Sequence, residues 1–383
     1  MQKFLKGQNS AVPLQRYFAL DILRGMTIAL MILVNTPGSW ATIYAPFEHS
    51  AWHGFTLTDL VFPTFLFVIG NAASFSLRKY ENTSENAFLR KVFKRTALIF
   101  LIGLLLNAFP FVYRADGSLH LIDFSTVRIM GVLQRIALCY CLASLLLHYL
   151  KLKKSLIVGV LLLLGYWALL WFFGTHPNPY SLEHNAALKF DLLIFPKENL
   201  YRGFGLPFDP EGLLSTLPAI VNVIAGYAAG IFIQKWGNTR KTIISLAISG
   251  FILLLIAELW DIYFPINKGI WTSTFVLFST GWDLLIIAAL ILIVEIANIK
   301  GWTYFFEAFG RNPLFIYILS GVVITLMNLI QIDGGSLHGL IYENFFLSWL
   351  NAYNASLGFA IFYVLLMWLL GYVLDKNKIY IKV

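Results

Sequence analysis

Charge is scarce in this sequence: Asp, Glu, Lys and Arg make up 13% of its 383 residues, while 58% are hydrophobic. With a mean hydropathy of +0.73, that balance excludes a soluble globular domain, in which charged residues are about 25% of the total. Cysteine is almost absent. Cys139 and Cys141 lie two apart inside an apolar run, which fits neither a CxxC metal or redox motif nor a disulfide framework, so they read as packing residues. The phosphate-cradling patterns GxGxxG and GxxxxGK[ST] are missing, which disfavours an ATP-driven pump, and HExxH is missing too. Internal repeats and low-complexity tracts are also lacking.

What fills the chain is a succession of continuous apolar runs rich in Leu, Ile and Phe, each near the roughly 20 residues a helix needs to cross a bilayer. A β-barrel would instead show segments of about 10 residues alternating in polarity. The expected fold is therefore all-α: a polytopic integral membrane protein of about ten transmembrane helices forming a single membrane domain over 1–383. The runs fall at 18–36, 57–77, 96–113, 129–149, 155–173, 213–234, 242–260, 271–297, 313–331 and 356–374. Met1–Arg16, with Lys3, Lys6 and Arg16, resembles a signal peptide, but Asp21 and Arg24 interrupt the apolar stretch that follows. The first run is accordingly expected to be an uncleaved membrane helix.

Ten helices with a cytoplasmic N-terminus put 21 of the 28 Lys and Arg residues inside, including Arg78, Arg90, Lys94, Lys151, Lys153, Arg240 and Lys376. Only Arg114, Arg128, Lys189, Lys197, Arg202 and Lys268 fall outside, and Arg135 lies within a helix. The positive-inside rule then predicts that both termini are cytoplasmic. Because the basic residues are scattered over six inside segments, the +8 net charge reads as topology and contact with an anionic lipid bilayer, with no nucleic-acid partner.

The outer connections are acidic by comparison, carrying Glu48, Asp116, Asp123, Glu183, Asp191, Glu198, Asp209, Glu211, Asp261, Asp333 and Glu343. Such loops suit a cationic substrate, or are simply polar. The connection 174–212 is long and rich in Pro and aromatics, including Phe190, Phe195, Tyr201, Phe204 and Phe208. It is expected to be a packed extracytoplasmic cap rather than disordered. Segment 333–354 contains IYENFFLSWL, too short to span and suited to the interface. In AGYAAG, Gly226 and Gly230 have the GxxxG spacing of a helix-packing face, which permits a homodimer without requiring one.

Polar groups at membrane depth are costly and mark function. The densest group follows the first run: Asn35 at its outer end, then FEHSAWHGFTLTDLVFP, with Glu48, His49, His53 and Asp59. A zinc site is the weaker reading, because Gly54 and the turn-like context keep His49 and His53 off one regular helix. A general base fits better: imidazole titrates near pH 6.5 and can take a proton from an attacking nucleophile. Asn35 could orient that ring or donate to a developing oxyanion; which histidine acts stays open on the residues alone. His120, His176, His184 and His338 fall in outer loops, and His148 ends a helix. Arg128 and Arg135, seven apart, are expected to share a helical face and suit phosphates, or to pair with Asp283, Glu258 or Glu295. Asp209 is expected to cap the sixth helix, with Pro210 in its first turn.

Five runs in order, RYFALDILRGMTIALMILVN, FEHSAWHGFTLTDLVFPTFLFVIG, VRIMGVLQRIALCY, DPEGLLSTLPAIVNVIAGYAAG and NKGIWTSTFVL, resemble the lysosomal heparan-alpha-glucosaminide N-acetyltransferase family and its bacterial relatives. The resemblance covers nearly the whole chain, which lacks the family's extra N-terminal helix and luminal domain, as bacterial members do. It implies a bacterial cytoplasmic (inner) membrane enzyme that transfers an acetyl group from cytosolic acetyl-CoA to the amine of a glucosamine-type sugar on the extracytoplasmic side, with no metal.

By motif position His49 resembles the family's essential histidine and Asn35 its second catalytic residue, while His53 stands where the lysosomal enzyme has Asn. Asp59 and Glu48 are assigned supporting roles. Arg128, Arg135 and Lys268 are assigned on charge to the donor's phosphates, and Asp209 and Glu211 to the acceptor. The opening RxxxLDxLRG also resembles membrane O-acyltransferases of surface glycans, which keeps O-acylation as an alternative. A secondary transporter is the non-enzymatic alternative, and it lacks the paired inverted halves of many such folds.

Overall fold

The structure, a computed structural model, describes residues 17–80, 84–332 and 334–381; Lys3, Lys6, Arg16 and Asp333, singled out above, lie outside the described residues. It is mostly helical. In chain order come α1 (Phe18–Asn35), α2 (Leu57–Ser76), α3 (Glu85–Ala108), α4 (Val132–Phe173), α5 (Ala186–Ile194), α6 (Thr216–Trp236), α7 (Arg240–Asp261), α8 (Ser273–Leu290), α9 (Thr303–Arg311), α10 (Pro313–Leu329), α11 (Leu337–Ile341) and α12 (Ala352–Lys376). Two strands, β1 (Val112–Ala115) and β2 (Ser118–Leu121), form an antiparallel hairpin after α3.

Among the described residues seven helices are long and apolar enough to cross a membrane, or eight if α9 and α10, bent by 86° at their junction, make one span. The apolar runs led to an expectation of ten. Runs 129–149 and 155–173 share α4, which is broken at Lys151 (φ 60°, ψ 167°). Run 96–113 lies largely in α3, whose first turns carry Arg90, Lys91, Lys94 and Arg95 and dilute its hydropathy. The run at 313–331 is reached only through the sharp bend after α9.

Close backbone approach fixes the centre of the bundle. A Cβ on Gly226 of α6 would stand 1.8 Å from the carbonyl oxygen of Phe67 in α2, and one on Gly70 of α2 would stand 1.8 Å from that of Val223 in α6. Glycine alone lets the two helices meet there. Gly230 faces Ser74 of α2, so the GxxxG spacing lies on this internal contact. Around it Ile28, Ile32, Leu66, Ile136, Ala219, Ile224, Phe275 and Phe359 form the main core.

Two sequence expectations about helix starts change. Arg128 precedes α4 rather than sharing a face with Arg135, because Gly131 is fully extended (φ 165°, ψ -174°) and the helix begins after it. Asp209 does not cap α6, which begins only at Thr216; its carboxylate is bonded to Arg128 instead. The stretch 209–215 is consequently a turn and not a first helical turn.

Segment 174–212 contains α5 and folds onto the bundle. Tyr180, Ala186, Ala187, Leu188 and Phe208 are buried with Tyr166 and Leu170 of α4 and with Phe264 and Ile270 from the α7–α8 connection. Asn185 caps α5 by accepting from Leu188 N at 2.8 Å. Asp191 of α5, buried, accepts from Leu213 N at 3.0 Å and so ties this segment to the 209–215 turn.

Candidate active site

Three connections meet where α1 ends and α2 begins: the loop 36–56, the turn 209–215 and the α7–α8 connection 262–272. Each is immobilised by its own sequence. In the first, Trp52 donates its indole N–H to Tyr180 O at 2.9 Å and lies edge-on against Phe204 and Phe208. In the third, fully buried Asn267 accepts from Ile270 N at 2.9 Å, and Trp271, also fully buried, takes a left-handed backbone conformation (φ 49°). A bulky residue in that region is strained, and it is retained here by packing on all sides. Its indole N–H reaches Asn222 Oδ1 at 3.1 Å.

Between these connections is a cavity of about 290 Å³, whose wall includes Asn35, His49, Asp59, Arg128, Glu211 and Lys268. Six of the nine residues singled out in the sequence therefore share one space. The aromatic part of the wall, Trp52, Tyr201, Phe204 and Tyr317, went unassigned at the sequence level. The aromatic density of the 174–212 connection was the available signal, and it indicated packing without indicating a cavity.

The centre is a dyad. His49 Nδ1 is 2.6 Å from Asp59 Oδ1. Asp59, with its side chain 0% exposed, also accepts from Thr56 N at 3.0 Å, Thr56 Oγ1 at 3.1 Å and Ser50 N at 3.1 Å. The sequence Thr56-Leu-Thr-Asp59 makes a capping box at the start of α2, so the bonds that start the helix also fix the carboxylate. An ionised carboxylate has only acceptor sites, hence Nδ1 carries the proton in that contact, and in the neutral ring the lone pair is on Nε2. The His49 side chain is 49% exposed.

Lys268 reaches the same place from 219 positions away, with Nζ 3.1 Å from both His49 ring nitrogens and 3.8 Å from Asp59 Oδ1. Burial pulls its ammonium below the ordinary lysine range, opposed by the charges of Asp59 and Glu211 and helped by that of Arg135. Asn35, the last residue of α1, is exposed, and among the described residues its carboxamide has no hydrogen-bond partner.

Arg128 forms a second charged group. It grips Asp209 with two parallel bonds, reaches Glu211 Oε2 at 2.5 Å and lies over the Tyr201 ring at 4.7 Å. Burial opposes the guanidinium's charge, but these two carboxylates win and hold its pKa above the usual range. Arg135 is outside the cavity wall. It is fully buried, stacks on Trp271 at 4.8 Å, and donates to Ser215 Oγ and to Gly212 O, the latter at 3.0 Å. Neither arginine is bonded to Asp283, Glu258 or Glu295; Asp283 instead accepts from Thr64 Oγ1.

The remaining candidates lie at the margin. Glu48 is exposed and outside the wall, and its backbone oxygen accepts from Thr56 Oγ1 at 2.7 Å. His53 is turned away, its Nδ1 3.2 Å from Asn267 Nδ2; burial lowers its pKa against the pull of Asp261. Among the described residues no three His, Cys, Asp or Glu side chains are grouped to hold a metal ion.

Comparison with known proteins adds to this geometry. Residues 16–256 match the family model for heparan-alpha-glucosaminide N-acetyltransferase, catalytic. The human protein named heparan-alpha-glucosaminide N-acetyltransferase is 26% identical over 365 residues, covering 81% of this chain and 53% of the relative. Its mouse counterpart is 25% identical over 359 residues, covering 79% and 53%. The chain thus spans about half the length of the curated relatives it matches.

Proposed function

This chain belongs to the heparan-alpha-glucosaminide N-acetyltransferase catalytic family, and from that premise we propose that it is a transmembrane acetyltransferase. It moves an acetyl group from cytosolic acetyl-CoA to the amine of a glucosamine-type sugar on the extracytoplasmic side of a bacterial inner membrane. With this goes a topology of ten spans and cytoplasmic termini. The observation that carries the reading is the His49–Asp59 contact of 2.6 Å at the wall of the cavity.

Thioester-to-amide transfer is downhill and needs no nucleotide hydrolysis. The reacting amine must be neutral, and as it attacks the thioester carbon its second proton has to leave. Nε2 of His49 is the group to take it. Equally, Nε2 can first displace the thiolate, carry the acetyl group and pass it on. The Asn35 carboxamide, uncommitted at the wall, donates to the oxyanion that develops in either route. Glu211, paired with Arg128 and Asp209 in a group of one positive and two negative charges, draws the cationic acceptor in. Of the residues assigned on charge to the donor's phosphates, Arg128 brings positive charge to the wall, Lys268 is engaged at His49, and Arg135 supports from behind Trp271.

The test is transfer from radiolabelled acetyl-CoA to glucosamine by purified protein in liposomes, comparing wild type with His49→Ala and Asn35→Ala. Transfer that vanishes in a folded His49→Ala protein is expected. Product released by hydroxylamine would instead be an ester, and the acceptor a glycan hydroxyl. Gradient-driven sugar uptake with no acetyl transfer would replace the enzyme with a transporter.

A further inference from the structure

Lys268 is an unusual neighbour for a histidine that has to accept a proton or an acetyl group. A lysine that serves a phosphate extends a free ammonium into the cavity. Here the ammonium is already engaged, 3.1 Å from both nitrogens of the His49 ring and 3.8 Å from Asp59 Oδ1. A point equally close to both nitrogens cannot lie along both in-plane lone pairs, and Nδ1 is committed to Asp59. The ammonium therefore stands against the ring as a charge, with Nε2 the nitrogen able to accept from it.

The arm is aimed by a rigid base. Asn267 and Trp271 on either side are fully buried, Trp271 N bonds back to Lys268 O at 3.1 Å, and a Cβ on Gly269 would stand 2.7 Å from the Trp52 ring. The lysine side chain is only 17% exposed, so its charge is poorly screened.

We propose that Lys268 is the positioning residue of His49: its ammonium, anchored by Asp59, keeps the imidazole neutral and its Nε2 available below the pH at which Asp59 alone would leave it protonated. Asp59 by itself favours the imidazolium, because a carboxylate 2.6 Å away stabilises a positive ring. A cation 3.1 Å from the ring opposes it. The other charges around this group are Glu211 from the 209–215 turn, Arg128 ahead of α4 and Arg135 within it. Glu211 shares Arg128 with Asp209 and supports the Lys268 ammonium after Asp59, while Arg135 opposes it; Asp59 and Lys268 are the charges in direct contact with the ring. No atom is transferred to or from Lys268 in this role; it acts through the ring.

The inference assigns a task to His49 consistent with acetyl transfer and rests on that reading, but it can be measured without transfer. Purified full-length protein in detergent is treated with diethyl pyrocarbonate from pH 5 to 9, and carbethoxylation of residue 49 is followed by peptide mass spectrometry. Its rate titrates with the neutral imidazole. Lys268→Met is expected to move the midpoint up by at least about one pH unit, tenfold in rate at low pH, while Lys268→Arg restores it. Asp59→Asn, which removes the opposing charge, is expected to move it down.

A midpoint unchanged in Lys268→Met, with Asp59→Asn still shifting it, would overturn the proposal and leave Lys268 a purely structural contact. Should Lys268→Met not fold, Lys268→Gln carries the same comparison. The acid limb of acetyl transfer should follow the same shifts. If the chemical titration shifts as expected and no acceptor is acetylated, the positioning role stands and the acetyltransferase reading falls. If transfer occurs and the titration is unmoved, the reverse holds.

Discussion

Asp209 holds Arg128 by two parallel bonds, Nε to Oδ2 at 2.8 Å and Nη2 to Oδ1 at 2.7 Å. The same carboxylate accepts from Glu211 N at 2.9 Å, so it shapes the turn as well as pairing the charge. Since Asp209 is buried and Arg128 largely so, removing one partner leaves an uncompensated charge. Asp209→Ala is expected to cost about 2–4 kcal/mol, and Arg128→Met a similar amount. The double variant should lose much less than the sum. A double-mutant cycle on thermal unfolding in lipid nanodiscs checks this, and additive losses would show that the pair does not couple.

A pH-dependent contribution to stability follows from Asp191. Burial raises its carboxyl to about 7 against hydrogen bonds from Leu214 and Leu213, and its Oδ2 has no partner. In the unfolded chain the group titrates near 3.8. Between those two values the folded protein binds the proton more tightly, so this contribution is full below about 4 and is lost as pH rises to about 7. Asp191→Asn should flatten that part of the profile and be more stable than wild type above pH 7. Melting temperature against pH measures it; parallel profiles for the two proteins would rule the titration out.

How much of this was legible in the sequence differs from residue to residue. His49 and Asp59 lie ten positions apart, so local spacing put them in one polar group, but it neither marked the capping box nor separated them from Glu48 and His53, which are outside the cavity wall. The GxxxG spacing of Gly226 and Gly230 likewise marked a packing face, although its partner is α2 of the same chain. Lys268 and His49 are 219 positions apart, and nothing local says that a lysine in the α7–α8 connection bends back onto a histidine. Arg128 with Asp209 was missed for a related reason: opposite charges 81 apart in two loops carry no period. The helical-face argument that linked Arg128 to Arg135 failed at Gly131, where a single extended residue delays the helix. Apolar runs located helices well, and the gap between the runs ending at 149 and starting at 155 brackets the break at Lys151, but the bend before α10 depends on packing that hydropathy does not record.

Tight helix contact makes α2 and α6 intolerant of bulk. A methyl group on Gly226 would sit 1.8 Å from Phe67 O, which is backbone and has nowhere to go. Gly226→Ala should therefore separate the helices and cost several kcal/mol, at the upper end of overpacking penalties of about 1–3 kcal/mol or beyond. Gly165→Ala, where a Cβ meets nothing within 4 Å, is the matched control. Monodisperse yield on size exclusion distinguishes them, and equal yields would mean that the contact relaxes freely.

Asp59→Asn separates the tautomer of His49 from its placement. The amide oxygen can still accept from Thr56 N and Ser50 N, as Oδ2 does now at 3.0 and 3.1 Å, so the capping box and the loop survive. Its NH2 then faces Nδ1 and forces that nitrogen to accept, which moves the ring proton to Nε2 and removes the lone pair from the cavity. Where a carboxylate fixes a catalytic histidine in this way, the amide costs about 10⁴ in rate with geometry intact. Here kcat for acetyl transfer is expected to fall by about 10²–10⁴, with KM for the acceptor changed by less than about threefold, because Glu211 and the aromatic wall are untouched. Steady-state kinetics on the folded variant give the split. A rise in KM with kcat preserved would make Asp59 part of acceptor binding and remove it from the proton path.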